Sequence, residues 1–263
     1  MSADGVKTSV FPGEKTAGTR VASLVPRFRG RTVLVLGDVM LDRYVAGEVS
    51  RISPEAPIPV LRVTGSHAVL GGAANVAHNV AALGARAILV GIIGTDEAGD
   101  EFERLVQTAG VDIDCQAVAT SRRPTTVKTR FIRGPHQLLR VDLETVDPLD
   151  DDSATEVRRR FGEAISECDV VVLSDYAKGV LDDRLLSEVI NLSRAASRPV
   201  VADPKRTSFD AYRNVTILTP NAYEATLVTG VGASDDEGAE TAARIALDAA
   251  FCEAVLVTRS STA

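Results

Sequence analysis

No stretch of apolar residues approaches the roughly 20 that a membrane-spanning helix needs, and the N-terminus lacks the charged-then-apolar profile of an export signal. The sequence therefore predicts a soluble, unexported protein with no membrane among its partners. Cysteine is scarce. Cys115, Cys168 and Cys252 are too few and too scattered for a disulfide framework, and none stands at the C-x-x-C spacing of a metal site. That usage fits a reducing cytoplasm. His67, His78 and His136 show no metal-binding spacing, so a structural part is expected for each. Basic charge is in deficit too: 36 acidic residues against 29 lysines and arginines leave a net charge of −7. This argues against broad attraction to nucleic acid, although a local basic pocket can still bind phosphate. Walker A and Rossmann loops are both absent, since no G-K-[ST] follows the paired glycines and no G-x-G-x-x-G spacing occurs.

What is present is a chain of 263 residues, 45% hydrophobic and 25% charged, able to bury one large core with a small appendage. Residues 1–30 are expected to form a tail and a short helix. Residues 1–19 are rich in Gly, Ser, Thr and Lys, and the helix is placed around Val21–Phe28. From Thr32 the text changes: Thr32-Val-Leu-Val-Leu-Gly37 is a continuous apolar run closed by glycine, the form of a strand buried on both faces. Similar runs recur at Ala87–Ile93, Val170–Leu173, Val200–Ala202, Val215–Leu218 and Ala254–Thr258. Helical stretches are expected at Ala73–Leu83, Glu97–Ala109, Ser153–Ser166, Asp183–Ala196 and Glu237–Phe251. The alternation predicts an α/β fold over 31–263, a doubly wound, mostly parallel sheet flanked by helices. Ligands in such folds sit beyond the carboxyl ends of the strands. Two segments, 43–63 and 125–142, have short alternating stretches with turn residues and no crossover helix, so they read as hairpins of a small β lid. An edge extension of the main sheet is the alternative.

The residues just past the strands are the candidates for chemistry. Gly37-Asp38-Val-Met-Leu-Asp42 puts two carboxylates there, able to accept hydrogen bonds from hydroxyls or to form a turn. Gly71-Gly72-Ala-Ala-Asn75 opens an alanine-rich helix. Its glycines admit close approach of a ligand, its N-terminus offers free N–H groups, and Asn75 supplies a donor and an acceptor. Asp175 and Lys178 follow Val170–Leu173, as ligands for a hydroxyl and a phosphate or as a pair within a turn. Asp203-Pro-Lys-Arg206 follows the next strand, with Lys205 or Arg206 free to meet phosphate or solvent. Asn221-Ala222-Tyr223-Glu224 reads on its own as a capping box.

Gly71-Gly72 with Asn75 and the closing Leu83-Gly84 resembles the first signature of the ribokinase-type carbohydrate kinases, and the spacing from Asp42 agrees. The resemblance runs from about Val33 to Ser260. Ser50-Arg-Ile-Ser-Pro-Glu-Ala-Pro-Ile-Pro59, Leu173-Ser-Asp-Tyr-Ala-Lys-Gly179, Asp203-Pro-Lys205 and Leu218-Thr-Pro-Asn-Ala-Tyr-Glu224 are similar to the heptose 7-phosphate kinases of lipopolysaccharide synthesis. The resemblance implies a ribokinase-like fold and ATP-dependent phosphorylation of the anomeric hydroxyl of D-glycero-D-manno-heptose 7-phosphate, in the cytoplasm, with Mg²⁺. It implies Asp42, Gly71, Gly72, Asn75 and Asp175 on the sugar, and Lys178 or the lid arginines Arg130 and Arg140 on its phosphate. Asn221, Ala222, Tyr223 and Glu224 fall on the ATP end, with Glu224 toward the metal. A second copy of the chain, joined through the lid, is a further expected partner.

The family's catalytic base lies in a G-A-G-D segment, and this sequence contains none. No catalytic residue is therefore assigned, and the chain is expected to be cut or diverted after Ser260. The alternatives are another kinase of the family, such as a fructokinase or ribokinase, or an inactive protein that binds a sugar phosphate or a partner.

Overall fold

A computed structural model describes residues 22–259. The tail expected over 1–19, and Val21 with it, lies outside the described residues. The short helix is a single 3-10 turn, Val25–Phe28. The chain then runs β1 (Thr32–Gly37), β2 (Val39–Ile52), β3 (Pro59–Gly72), α1 (Ala73–Ala82), β4 (Arg86–Val90), β5 (Ile92–Gly94), α2 (Glu97–Thr108), β6 (Ile113–Cys115) and β7 (Val118–Thr120). It continues through β8 (Val127–Arg133), β9 (His136–Leu143), α3 (Asp151–Ala164), β10 (Val170–Ser174), α4 (Asp183–Ala195) and β11 (Val200–Asp203). The last elements are β12 (Ile217–Leu218), α5 (Ala222–Thr229), α6 (Asp236–Ala250) and β13 (Ala254–Val255).

Seven strands form one sheet in the order β13-β12-β11-β10-β1-β4-β6, and every neighbouring pair is parallel. Alternate residues of β1 serve opposite cores. Leu34 and Leu36 join Val157 and Phe161 of α3, Leu186 and Val189 of α4, and Ala246 of α6. Val33 and Val35 join Ala74 and Ala77 of α1 and Phe102 of α2. With both faces covered, an unbroken apolar run is what β1 needs, each fully buried Leu or Val contributing about 1.5–3 kcal/mol.

The expected run Ala87–Ile93 is two strands. The break falls at Gly91, where a Cβ would stand 2.7 Å from a Val39 methyl, and the second piece pairs with β7 apart from the main sheet. Helix α3 starts at Asp151, two residues earlier than the apolar pattern suggests, because Asp150 caps it by accepting from the Ser153 N–H at 3.1 Å.

The segments read as hairpins form a separate four-stranded sheet, β3-β2-β8-β9. Strands β2 and β3, and likewise β8 and β9, are antiparallel, while the seam between β2 and β8 is parallel. Its first hairpin is longer than expected at both ends: β2 begins at Val39 and β3 runs on to Gly72, so only Asp38 separates the two sheets.

Candidate active site

Parallel strands put their carboxyl ends on one edge, and the sequence places a carboxylate after three of them. β1 and β10 meet so closely there that a Cβ on Gly37 would overlap the Ser174 carbonyl. Asp38 is buried, and its side chain accepts from the backbone N–H groups of Tyr176 at 2.8 Å, Lys178 at 3.1 Å and Val180 at 3.2 Å. Its carbonyl accepts from Ala73 at the head of α1, at 2.9 Å. Burial pushes its pKa up despite the three amides. Asp38 thus forms turns, binding the 174–180 loop and the start of α1 to the end of β1.

Asp42 lies on β2 rather than in a loop. One oxygen accepts from Arg130, whose guanidinium also lies 5.5 Å from the centre of the Tyr44 ring. The other, Oδ2, would stand 2.6 Å from a Cβ on Gly71, so glycine there keeps space open around the carboxylate. Arg130 orients Asp42, and this pairing draws on its charge before any phosphate does. Gly72 has φ +57 and meets the Asp38 carbonyl too closely for a side chain. Asn75, one turn into α1, is exposed and makes no side-chain hydrogen bond among the described residues.

Asp175 is a correction to the expected substrate contacts. It is 3% exposed, and both of its oxygens are used internally. Oδ1 accepts from the Ala177 N–H at 2.7 Å, and Oδ2 from Tyr212 Oη at 2.7 Å and Arg206 Nε at 3.1 Å. The cause is the local turn, in which Ala177 takes φ +55. Arg206 is spent on Asp175, Asp183 and the Leu181 carbonyl, so it too is structural. Lys178 pairs not with Asp175 but with Glu144, at 2.7 Å.

Glu144 and Asp142 hold a chain of cations. Lys128 donates to Asp142 at 3.1 Å and Glu144 at 3.0 Å, and Arg140 to Asp142 at 3.0 Å. Burial opposes ionisation of Glu144, but the bonds from Lys178 and Lys128 outweigh it and hold its pKa below the usual range. The sequence reading missed Lys128 and Glu144. The two-residue period would have found them, since Lys128 shares a face with Arg130, and Asp142 opposite it lies two residues from Glu144. Arg123 was missed as well: half-buried, it donates to the carbonyls of Thr145 at 2.8 Å and Lys178 at 2.6 Å, clamping the small sheet's root to the loop.

At the other end, Asn221 and Glu224 form the expected capping box, each accepting from the other's N–H at 2.9 Å. The remaining Glu224 oxygen accepts from Lys205 Nζ at 2.8 Å. Asp203, at the end of β11, accepts no side-chain hydrogen bond among the described residues. Burial, with the negative charges of Glu224 and Asp175, raises its pKa to about 6, Lys205 offsetting part. Burial also raises the Tyr176 phenol, helped by the charges of Asp203 and Asp42. This ring therefore senses both ends of the row, a position that sequence reading did not single out.

A cavity of about 310 Å³ between α3 and α4, lined by Leu149, Thr155, Arg158, Arg184, Leu185 and Glu188 among others, shares none of these residues. The edge of the sheet, where the charged groups converge, is the better candidate. No group of three or more His, Cys, Asp or Glu that could hold a metal occurs among the described residues, and none of their helices is long and apolar enough to cross a membrane.

The model of the pfkB family carbohydrate kinases matches residues 31–263. The chain belongs to this family. Among relatives of this pfkB family member, the bifunctional protein HldE of Caulobacter sp. (strain K31) is 48% identical over 240 residues, 91% of this chain and 48% of that protein. D-beta-D-heptose 7-phosphate kinase of Bordetella bronchiseptica is 46% identical over 253 residues, 95% of this chain and 74% of that one. The chain spans about half the length of the bifunctional relatives. Phosphofructokinase-2 from Escherichia coli, in complex with substrates and products, superposes with a TM-score of 0.71 at 19% identity, over 87% of this chain and 73% of that one. Arabidopsis thaliana ribokinase complexed with ribose and ATP gives 0.66 at 19%, over 87% and 72%. The fold is thus ribokinase-like, as expected.

Proposed function

We propose that this chain carries the site of a heptose 7-phosphate kinase, transferring the γ-phosphoryl group of ATP to the anomeric hydroxyl of D-glycero-D-manno-heptose 7-phosphate for lipopolysaccharide precursors. The supporting observation is the single row of groups along the sheet edge, hydrogen-bonding groups of the kind a polyol needs at one end and an acidic pair at the other. Its relatives' names supply the sugar. Asp42, set by Arg130, accepts hydrogen bonds from sugar hydroxyls through its open oxygen beside Gly71. Gly72 lets the sugar approach the backbone, and Asn75 donates and accepts from the first turn of α1. Lys178 and Arg140, with Lys128, face the sugar's phosphate, for which Asp142 and Glu144 hold them ready.

Phosphoryl transfer demands positioning and charge neutralisation. Magnesium takes oxygen ligands, commonly one or two carboxylates plus phosphates and water. Asp203 and Glu224 fit that donor set, since Asp203 is unbonded and Lys205 already serves Glu224 as a cation. Asn221, Ala222 and Tyr223 place Glu224 at the head of α5, where the amides of Asn221, Ala222 and Glu224 are already bonded and that of Tyr223 is left to meet phosphate. The metal would neutralise the transferring phosphates. The sequence has no G-A-G-D, and no residue described here is assigned as base. ATP and free thiols fit work in the cytoplasm.

Calorimetry with heptose 7-phosphate tests the reading. Asn75→Ala should weaken binding roughly 5- to 150-fold, the equivalent of 1–3 kcal/mol for one or two lost hydrogen bonds, at an unchanged melting temperature because the side chain is exposed. Equal binding by both proteins, or tighter binding of fructose 6-phosphate, would count against it.

The opposite face of the small sheet exposes Leu139, Val141 and Leu143, which alternate with the charged Arg140 and Asp142. Pairing of two copies through this face would cover them. Light scattering should then give twice 27.8 kDa, and a Leu139→Glu variant the monomer mass; a wild-type monomer at micromolar concentration would rule the pairing out.

A further inference from the structure

Lys205 and Glu224 form more than a surface ion pair. The Glu224 side chain is 9% exposed and that of Lys205 47%. One Glu224 oxygen is fixed by the Asn221 N–H, so the carboxylate cannot turn away, and the other points at Lys205 Nζ, 2.8 Å distant. The root of Lys205 is pinned as well. Its N–H donates to Tyr212 Oη at 3.2 Å, itself bonded to Asp175, and Pro204 precedes it. Only the four-carbon stem is free to swing. The flexible ammonium is held by Glu224 alone, and Asp203, unbonded, feels its charge only at longer range.

A divalent ion sits about 2.0–2.1 Å from its carboxylate oxygens, and an ammonium on the same oxygen would repel it strongly at such range. The two cations exclude each other. We propose that Lys205 is a resident competitor for the metal position at Glu224, and that arrival of a metal–nucleotide releases its ammonium to a nucleotide phosphate. The inference rests on reading this end of the row as the nucleotide end. It makes Lys205 a nucleotide-binding residue whose two partners, Glu224 and phosphate, alternate. Metal and nucleotide then enter together, because metal alone must work against Lys205 while nucleotide alone must draw it off Glu224.

The test uses Mn²⁺ alone, metal-free ATP and Mg-ATP, titrated into the protein and into Lys205→Met and Lys205→Arg. Lys205→Met should bind Mn²⁺ alone roughly one-and-a-half- to fivefold more tightly, the span to which a partly exposed ion pair of this kind converts. It should bind metal-free ATP more weakly by a similar factor, and Lys205→Arg should stay near the wild type in both. A melting temperature close to wild type shows that the variants fold. Unchanged or weaker Mn²⁺ binding in a folded Lys205→Met, while the wild type binds Mg-ATP, overturns the exchange and leaves the nucleotide assignment standing. Failure of the wild type to bind Mg-ATP at all overturns the assignment and, with it, the proposal.

Discussion

Asp175→Ala is expected to lower the stability of the protein by about 3–5 kcal/mol, the cost of removing one partner from a buried ion pair. Arg206 would be left with its charge half-buried, and Tyr212 Oη would lose its 2.7 Å acceptor inside the core. Against the 5–15 kcal/mol that holds a typical domain together, this is a large share. Denaturant titration reads it directly. The double variant Asp175→Ala/Arg206→Met should lose less than the sum of the two single changes, because the stranded charge leaves with its partner. A single variant within about 1 kcal/mol of wild type that had lost sugar binding would return Asp175 to the substrate contacts.

Gly72→Ala should be nearly as costly. Its φ of +57 with ψ of −135 belongs to the region open to glycine and closed to other residues. The new Cβ would also overlap the Asp38 carbonyl, which accepts from the first amide of α1. Strain of about 1–3 kcal/mol and the clash add, so a loss above roughly 3 kcal/mol is expected, with α1 displaced. Thermal melting measures it. Gly71→Ala is the contrast: its Cβ presses on side-chain atoms of Asp42 and Met40 and on no backbone, so sugar affinity should fall more than stability does. Equal melting temperatures for wild type and Gly72→Ala would show that the turn relaxes freely and that Asp38 does not fix it.

The main sheet was legible because strands covered on both faces must be apolar throughout, and β1, β10 and β11 carry that mark without interruption. β6 was not, being three half-buried residues at the sheet's edge. The break at Gly91 was not legible either, since it follows from the approach of Val39, more than fifty residues away in the chain. For the site, positions were readable and directions were not. The strand-end rule led to Asp38, Asp175, Asp203 and Asn221, yet whether each carboxylate faces the cleft or the interior depends on partners such as Tyr212 and Arg206, which no local pattern announces. The capping box at Asn221 was visible in the text, and its coexistence with a cation on Glu224 was not. Lys128 and Glu144 were within reach of the strand period, but register had to be known before their faces could be.

The parallel seam between β2 and β8 joins residues 41–46 to 127–132, with β3, α1, β4 and α2 all lying between. The hairpins on either side close over short turns, in the microsecond range that such local contacts allow. The seam cannot, because its loop-closure entropy is recovered only once the intervening half of the core has condensed. The edge that carries the candidate site is therefore assembled late in the life of the folding chain, and Asp42 and Lys128, neighbours across that seam, come into register only when the body beneath them is already built.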